Sequence, residues 1–269
     1  MKNITLCADD YGQNEPVSMG ILQLIELGRL SAVSCMTGYA HWPTYAAQLA
    51  ALKDTPNIKN QLDVGLHFDL TEFIAQQGWS FNQFIIQCCL GKVDLHKVEV
   101  ELNRQLDAFE AQLNMAPEFV DGHQHVHVFP GIRHVFVRTL TQRYPKKLPY
   151  IRLSRPVVFG HDSTIKALIL RGLAIGFARL AQQHKLHFPS QFLGMYSLRP
   201  GNYAQHFSHW LQQAKPNSLF MCHPGLPSSD SSDPIKKARF VEFTYFSGEQ
   251  FLTDLNAQQV TLNKWTPSA

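Results

Sequence analysis

Short apolar runs that end in polar, chemically active residues recur along this chain of 269 residues. The first is Ile4-Thr5-Leu6, which leads into Cys7-Ala8-Asp9-Asp10-Tyr11-Gly12. A β-branched and apolar run of this length predicts a buried strand whose carboxyl end opens onto two adjacent acids. Similar runs predict strands at Ser31 to Thr37, Val64 to Asp69, Phe119 to His123, Pro149 to Leu153 and Ser218 to His223. Gln191 to Gly194 is a weaker strand, and Val260 to Leu262 a final strand or extended tail. Between them the apolar spacing turns helical. Val17, Ile21, Leu22 and Ile25 form one stripe, on a helix that Asn14 or Ser18 caps and Gly28 follows. Val98, Leu102, Leu106, Phe109 and Leu113 form another. Ala46 to Leu52, Ile165 to Leu180 and Phe251 to Ala257 predict three more helices. The second of these is apolar enough to pack on a sheet across a broad face. Residues 73–97 fit a lid or a short helical excursion, and residues 227–236 a Ser/Asp-rich loop.

Strands that alternate with helices imply a mainly parallel sheet, here of about seven strands, joined by right-handed crossovers. No internal repeat, low-complexity linker or composition break divides the chain, so one domain over residues 1–269 is expected. In parallel α/β folds the site lies at the carboxyl ends of the strands. Five predicted strand ends carry chemistry: Asp9-Asp10, His67, His123, Arg152 and His223.

Taken alone, the acid pair reads more readily as a cap or turn pair than as a site. Its company changes that reading. Asp121-Gly122-His123-Gln124-His125-Val126-His127 places three imidazoles in five residues, and in an extended backbone Asp121, His123, His125 and His127 share one face. His-rich short tracts of this kind commonly mark metal sites. Gly122 fits a place where the backbone passes close to a ligand. Asp10, His67 and His123 would make a two-histidine, one-carboxylate triad that leaves open positions for water and substrate, as Zn²⁺ and other transition metals require. Asp69, two residues after His67, is expected to fix that ring's tautomer. Asp9 would stay free to take a proton from bound water, held ionised by Arg152. For Arg152 a surface ion pair and for His223 a turn position remain the plain alternatives. Trp42, Trp79 and Phe81 suit sugar stacking, although core packing is the commoner use of such aromatics.

Composition narrows the class. The balance of 24 Lys and Arg against 21 Asp and Glu gives a formal net charge of +3, with no dense basic run, which argues against nucleic acid as a partner. Thirteen histidines is a high count for a metal- and proton-binding residue type. Five cysteines without a C-x-x-C pair predict reduced thiols. No signal-like region precedes the first strand and no run reaches the roughly 20 apolar residues of a membrane span, so a cytoplasmic protein without an integral membrane segment is expected.

Ala8-Asp9-Asp10-Tyr11-Gly12, Gly65-Leu66-His67-Phe68, Asp121-Gly122-His123-Gln124-His125-Val126-His127 and Met221-Cys222-His223-Pro224 together resemble the YdjC/ChbG-type carbohydrate deacetylases. The motifs fall in that family's order and span residues 8 to 225. The resemblance implies a distorted (β/α) barrel and one divalent metal ion, Zn²⁺ or Mg²⁺, bound by Asp10, His67 and His123. It implies Asp9 as general base and His223 as the group that protonates the leaving amine. His125 and His127 are given supporting or substrate-binding roles. The implied reaction removes an acetyl group from an N-acetylated amino sugar, either a chitooligosaccharide or a glycolipid head group, and a homodimer is suggested. The alternatives are a metal-dependent phosphoesterase or another amidohydrolase on the same rim, or a non-catalytic sugar- or metal-binding protein. Residues 155–210 carry no family motif.

Overall fold

Among the described residues every strand pairing in the sheet is parallel, and the ten-residue strand β1 (Lys2–Tyr11) lies inside it, flanked on both sides. The computed structural model describes residues 1–157 and 162–267. Within them the other strands are β2 (Ala32–Cys35), β3 (Asp63–Phe68), β4 (Phe119–Gly122), β5 (Tyr150–Ile151), β6 (Phe192–Leu193), β7 (Ser218–Cys222) and β8 (Val260–Leu262). The helices of the first half are α1 (Glu15–Glu26), α2 (Trp42–Lys53), α3 (Pro56–Lys59), α4 (Thr71–Gln76), α5 (Phe81–Cys89), α6 (Leu95–Leu113) and α7 (Ile132–Arg143). Those of the second half are α8 (Thr164–Leu173), α9 (Phe177–Gln183), α10 (Tyr203–Gln213), α11 (Lys236–Ser247) and α12 (Glu249–Ala257).

The strand order is β5-β4-β3-β2-β1-β7-β6, with β8 paired to the first residues of β1. The sheet curls into a distorted (β/α) barrel. Its two ends approach each other where Pro156, beyond β5, forms a parallel bridge to Phe192 of β6. Strands buried on both faces explain the unbroken apolar runs: Leu6, Cys7, Ala8, Val33, Leu66, Val120 and Phe220 are almost fully enclosed. Among the described residues no helix is long and apolar enough to cross a membrane.

Most of the predicted elements form, with shifted ends. Asn14 caps α1 by accepting the Val17 N–H at 3.0 Å, and Gly28 follows with φ +67°. Residues 73–97 resolve mainly into α4 and α5, the latter opened by a Ser80–Gln83 capping box. The long apolar helix expected over Ile165 to Leu180 is two helices. Gly176, at φ +81°, starts a second axis, and α8 buries only Ala167 and Leu170. It therefore does not lay a broad apolar face on the sheet. Four helices, α3, α7, α10 and α11, lie where the apolar spacing singles out none, and α11 contributes to the site.

Candidate active site

The acid pair stands on a defect in β1. Ala8 pairs with Val33 and Tyr11 with Cys35, so β1 spends one residue more than β2 over this stretch. That extra residue is a β-bulge, and Asp10 within it has φ +70°. Adjacent residues of a regular strand point to opposite faces. The bulge lets Asp9 and Asp10 both reach the carboxyl rim. Gly12, at φ +93°, continues the turn, and a side chain there would press on the Met36 carbonyl at 2.8 Å.

Three side chains converge at Asp10. Its Oδ1 lies 3.0 Å from His123 Nδ1 and 3.4 Å from His67 Nε2, and one ligand atom from each of the three lies within 4.8 Å of the others. The His67 and His123 ring centres are 5.5 Å apart. The other oxygen of Asp10 accepts a hydrogen bond from Arg239 Nη2 at 2.8 Å, and Arg239 Nε is fixed by Asp233 at 2.8 Å. Asp10 is thus oriented with one oxygen held from α11 and one turned to the histidines. Arg239 is almost fully buried and has no motif around it; only the packing of α11 against the barrel brings it here.

His67 is oriented by Asp121, not by Asp69. Asp121 Oδ1 lies 2.6 Å from His67 Nδ1 and accepts a hydrogen bond from Ser34 Oγ at 2.6 Å. Asp69 falls outside β3, where the chain turns toward α4, and its Oδ1 instead accepts from the Thr71 N–H at 2.9 Å. The expected same-face geometry fails because the strand ends at Phe68.

The histidine tract also departs from an extended backbone. After Gly122 the chain enters a short 3₁₀ segment, His123–Val128, with Gln124 and His125 at φ 49° and 61°. The three imidazoles then diverge. His123 turns to Asp10, His125 lies 3.0 Å from Ser154 Oγ in the cavity wall, and His127 is buried against Phe136 and Phe177. His127 Nε2 meets the Arg152 carbonyl at 2.7 Å. Gly122 is needed for His127, since a Cβ there would sit 2.8 Å from the ring's Nδ1.

Asp9 stands beside this cluster. Arg152 donates from Nη1 to Asp9 Oδ2 at 2.6 Å and from Nη2 to Oδ1 at 2.7 Å, and its Nη2 is 2.5 Å from Asp121 Oδ2. Burial pushes the Asp9 carboxyl up, but the Arg152 guanidinium more than reverses this and holds it well below the usual carboxylate range. His223 Nε2 is 3.9 Å from Asp9 Oδ2. Burial lowers the His223 imidazole to about 4, against the opposing charges of Asp10 and Asp9, so the ring is neutral at neutral pH. Beneath it, Glu242 of α11 accepts the His223 backbone N–H at 2.5 Å and the Tyr196 hydroxyl at 2.7 Å. Burial pushes Glu242 up to about 7. Burial also lowers His67, yet Asp121 and Asp9 outweigh it and raise the ring to about 10.

Asp9, Asp10, His67, His123, His223 and Arg239 floor a cavity of about 520 Å³. Its walls include Phe81 and Ile85 of α5 and Ile169, Leu170 and Leu173 of α8, with Met195 and Tyr196 beyond β6. Trp42 is in the core, donating to the Ala108 carbonyl at 3.0 Å, and Trp79 stacks on Phe84. Of the three aromatics considered for sugar stacking, only Phe81 lines the cavity.

The chain is 28% identical over 255 residues to the carbohydrate deacetylase of Homo sapiens, covering 84% of this chain and 75% of that protein. It is 26% identical over 232 residues to the chitooligosaccharide deacetylase of Yersinia pestis, covering 83% and 81%. Its fold is similar to a crystal structure from Enterococcus faecalis, of a protein named for cellobiose-phosphate cleavage, with a TM-score of 0.72 at 16% identity over 98% of this chain and 97% of that one. The family model for YdjC-like proteins matches residues 3–257, and the chain belongs to that family.

Proposed function

We propose that this protein is a metal-dependent carbohydrate N-deacetylase, which hydrolyses the acetamide of an N-acetylated amino sugar. The observation that carries the reading is the meeting of Asp10, His67 and His123 beside a carboxylate, Asp9, that Arg152 keeps ionised. The deacetylase names of its relatives support the same substrate class.

The residues fit a divalent ion. Asp121 occupies Nδ1 of His67 and leaves Nε2 toward the cluster, the usual way a ligating histidine is oriented. The field that holds a proton on His67 is the negative field of Asp121, Asp9 and Asp10, and it attracts a metal cation in place of that proton. Two imidazoles and one carboxylate suit Zn²⁺ or a similar transition ion better than Mg²⁺, which prefers oxygen ligands. Bound there, the ion supplies a water of lowered pKa and a Lewis acid for the acetyl carbonyl.

The chain's own groups handle the protons. Asp9 accepts a proton from the attacking water, and Arg152 holds both of its oxygens in position. His223 is neutral at rest, so it must gain the proton that it gives to the amine nitrogen. Asp9 Oδ2, 3.9 Å from His223 Nε2, is the donor at hand. Water therefore loses a proton, the C–N bond breaks, and the amine leaves protonated through His223.

Acetate release from N-acetylglucosamine oligomers and from lipid-linked N-acetyl sugars tests the proposal. Metal-loaded protein releases acetate, stripped protein does not, and divalent ions restore release. Calorimetric sugar binding with no acetate from any substrate would replace the enzyme with a binding protein; phosphate release from a phosphoester panel would replace the reaction.

A further inference from the structure

Among the described residues, helix α8 leaves an apolar face uncovered at the rim of the cavity. Ile165, Leu168 and Ile169 are 75%, 54% and 53% exposed, and Ile175, just beyond the helix, is 75% exposed. Scattered apolar residues on a surface need no explanation, but four within eleven positions, Ile165 to Ile175, make a patch. Ile86 and Leu90 of α5, the helix that lines the same cavity, add two more exposed side chains, 54% and 58%.

Residues 122–229 hold thirteen of the 24 Lys and Arg and one acid, Asp162; of the thirteen, Arg138, Arg143 and Arg152 are paired with acids from elsewhere in the chain. Lys166 and Arg171 lie on α8 itself. Ile175 lines two clefts, one with Arg155 and Arg171 and the other with Arg133 and Arg179. Arg171 and Arg133 donate to main-chain carbonyls, of Pro156 and Ile175. Isoleucine and leucine side chains set beside arginine-lined clefts are the pattern of an element that lies in a lipid–water interface, apolar groups at the acyl boundary and cations at the headgroups. A second copy of the chain is the poorer occupant, because a twofold contact would set this basic edge against itself.

We propose that α8 and the turn after it dock on an anionic lipid surface. The docking does not depend on the deacetylase reading.

Flotation of the full chain with phosphatidylglycerol–phosphatidylcholine vesicles, and with phosphatidylcholine vesicles alone, tests the docking. The protein floats with the anionic vesicles and at least about tenfold less with the neutral ones or in high salt. Ile165→Ser/Leu168→Ser/Ile175→Ser lowers anionic-vesicle binding by a similar factor, while its melting temperature and acetate release from soluble N-acetylglucosamine oligomers stay at the parent level. Parent protein left in the soluble fraction with both vesicles, equal binding to both, or a triple variant that floats like the parent would each overturn the proposal. So would a dimer, seen by light scattering, that the triple variant dissociates, since the face would then belong to a second copy. Flotation without acetate release from any substrate would sink the deacetylase reading and leave the docking standing.

Discussion

Arg152 and Asp9 meet through two parallel hydrogen bonds of 2.6 and 2.7 Å, with both side chains almost wholly buried. Asp9 needs no metal to stay ionised, because the guanidinium supplies the countercharge. It is set apart from the donor cluster at Asp10, although the two acids are neighbours in sequence.

Asp9→Asn keeps the size and removes the base. Metal binding by calorimetry stays within a few-fold of the parent, while acetate release falls by on the order of 10²–10⁴, the usual share of a general acid–base group. Loss of the metal with the activity would show instead that Asp9 is a ligand.

Arg152→Met removes the cation shared by Asp9 and Asp121. Breaking a buried charge network from one side costs roughly 3–5 kcal/mol. Urea unfolding is expected to show a loss of that size; a loss under about 1 kcal/mol would mean that the carboxylates are solvated in the folded protein.

Asp121→Asn keeps the contact to His67 but weakens the acceptor that orients it. Removing such an outer partner typically lowers metal affinity by about 10–100-fold. A chelator competition titration measures it, and Asp69→Asn, which touches no histidine, is the control with unchanged affinity.

Glu242 makes stability depend on pH in an unusual direction. Its carboxyl is raised from 4.5 to about 7 in the folded chain. Between these values the folded state holds a proton that the unfolded state has lost, so stability falls as pH rises through this window and levels off above it. A tenfold difference in proton affinity is worth about 1.4 kcal/mol, so the group accounts for roughly 3 kcal/mol across the window. Glu242→Gln should remove this part of the slope in urea unfolding between pH 4.5 and 7. An identical slope in parent and variant would show that Glu242 is ionised throughout.

The element order is legible in the sequence because its signals are local. Apolar strands broken by helical stripes, with polar residues at the strand ends, put Asp9, Asp10, His67, His123, Arg152 and His223 on one rim before any coordinates. Charge alone suggests Arg152 as the partner of Asp9, and the two side chains meet in the fold. Asp69 as the partner of His67 is not correct, because that reading takes the strand one residue too far. A strand's end is set by its neighbours' hydrogen bonds, which the sequence does not display.

The sequence by itself determined the alternation of strands and helices and the chemistry at the strand ends, since both depend on residues adjacent along the chain. Tertiary structure alone decided that a bulge turns Asp10 toward the histidines, that Asp121 and Ser34 hold His67, and that from α11 Arg239 reaches the floor and Glu242 the backbone of His223. Those partners lie tens to hundreds of residues apart, and only the packing of α11 and the curl of the sheet bring them within hydrogen-bond range.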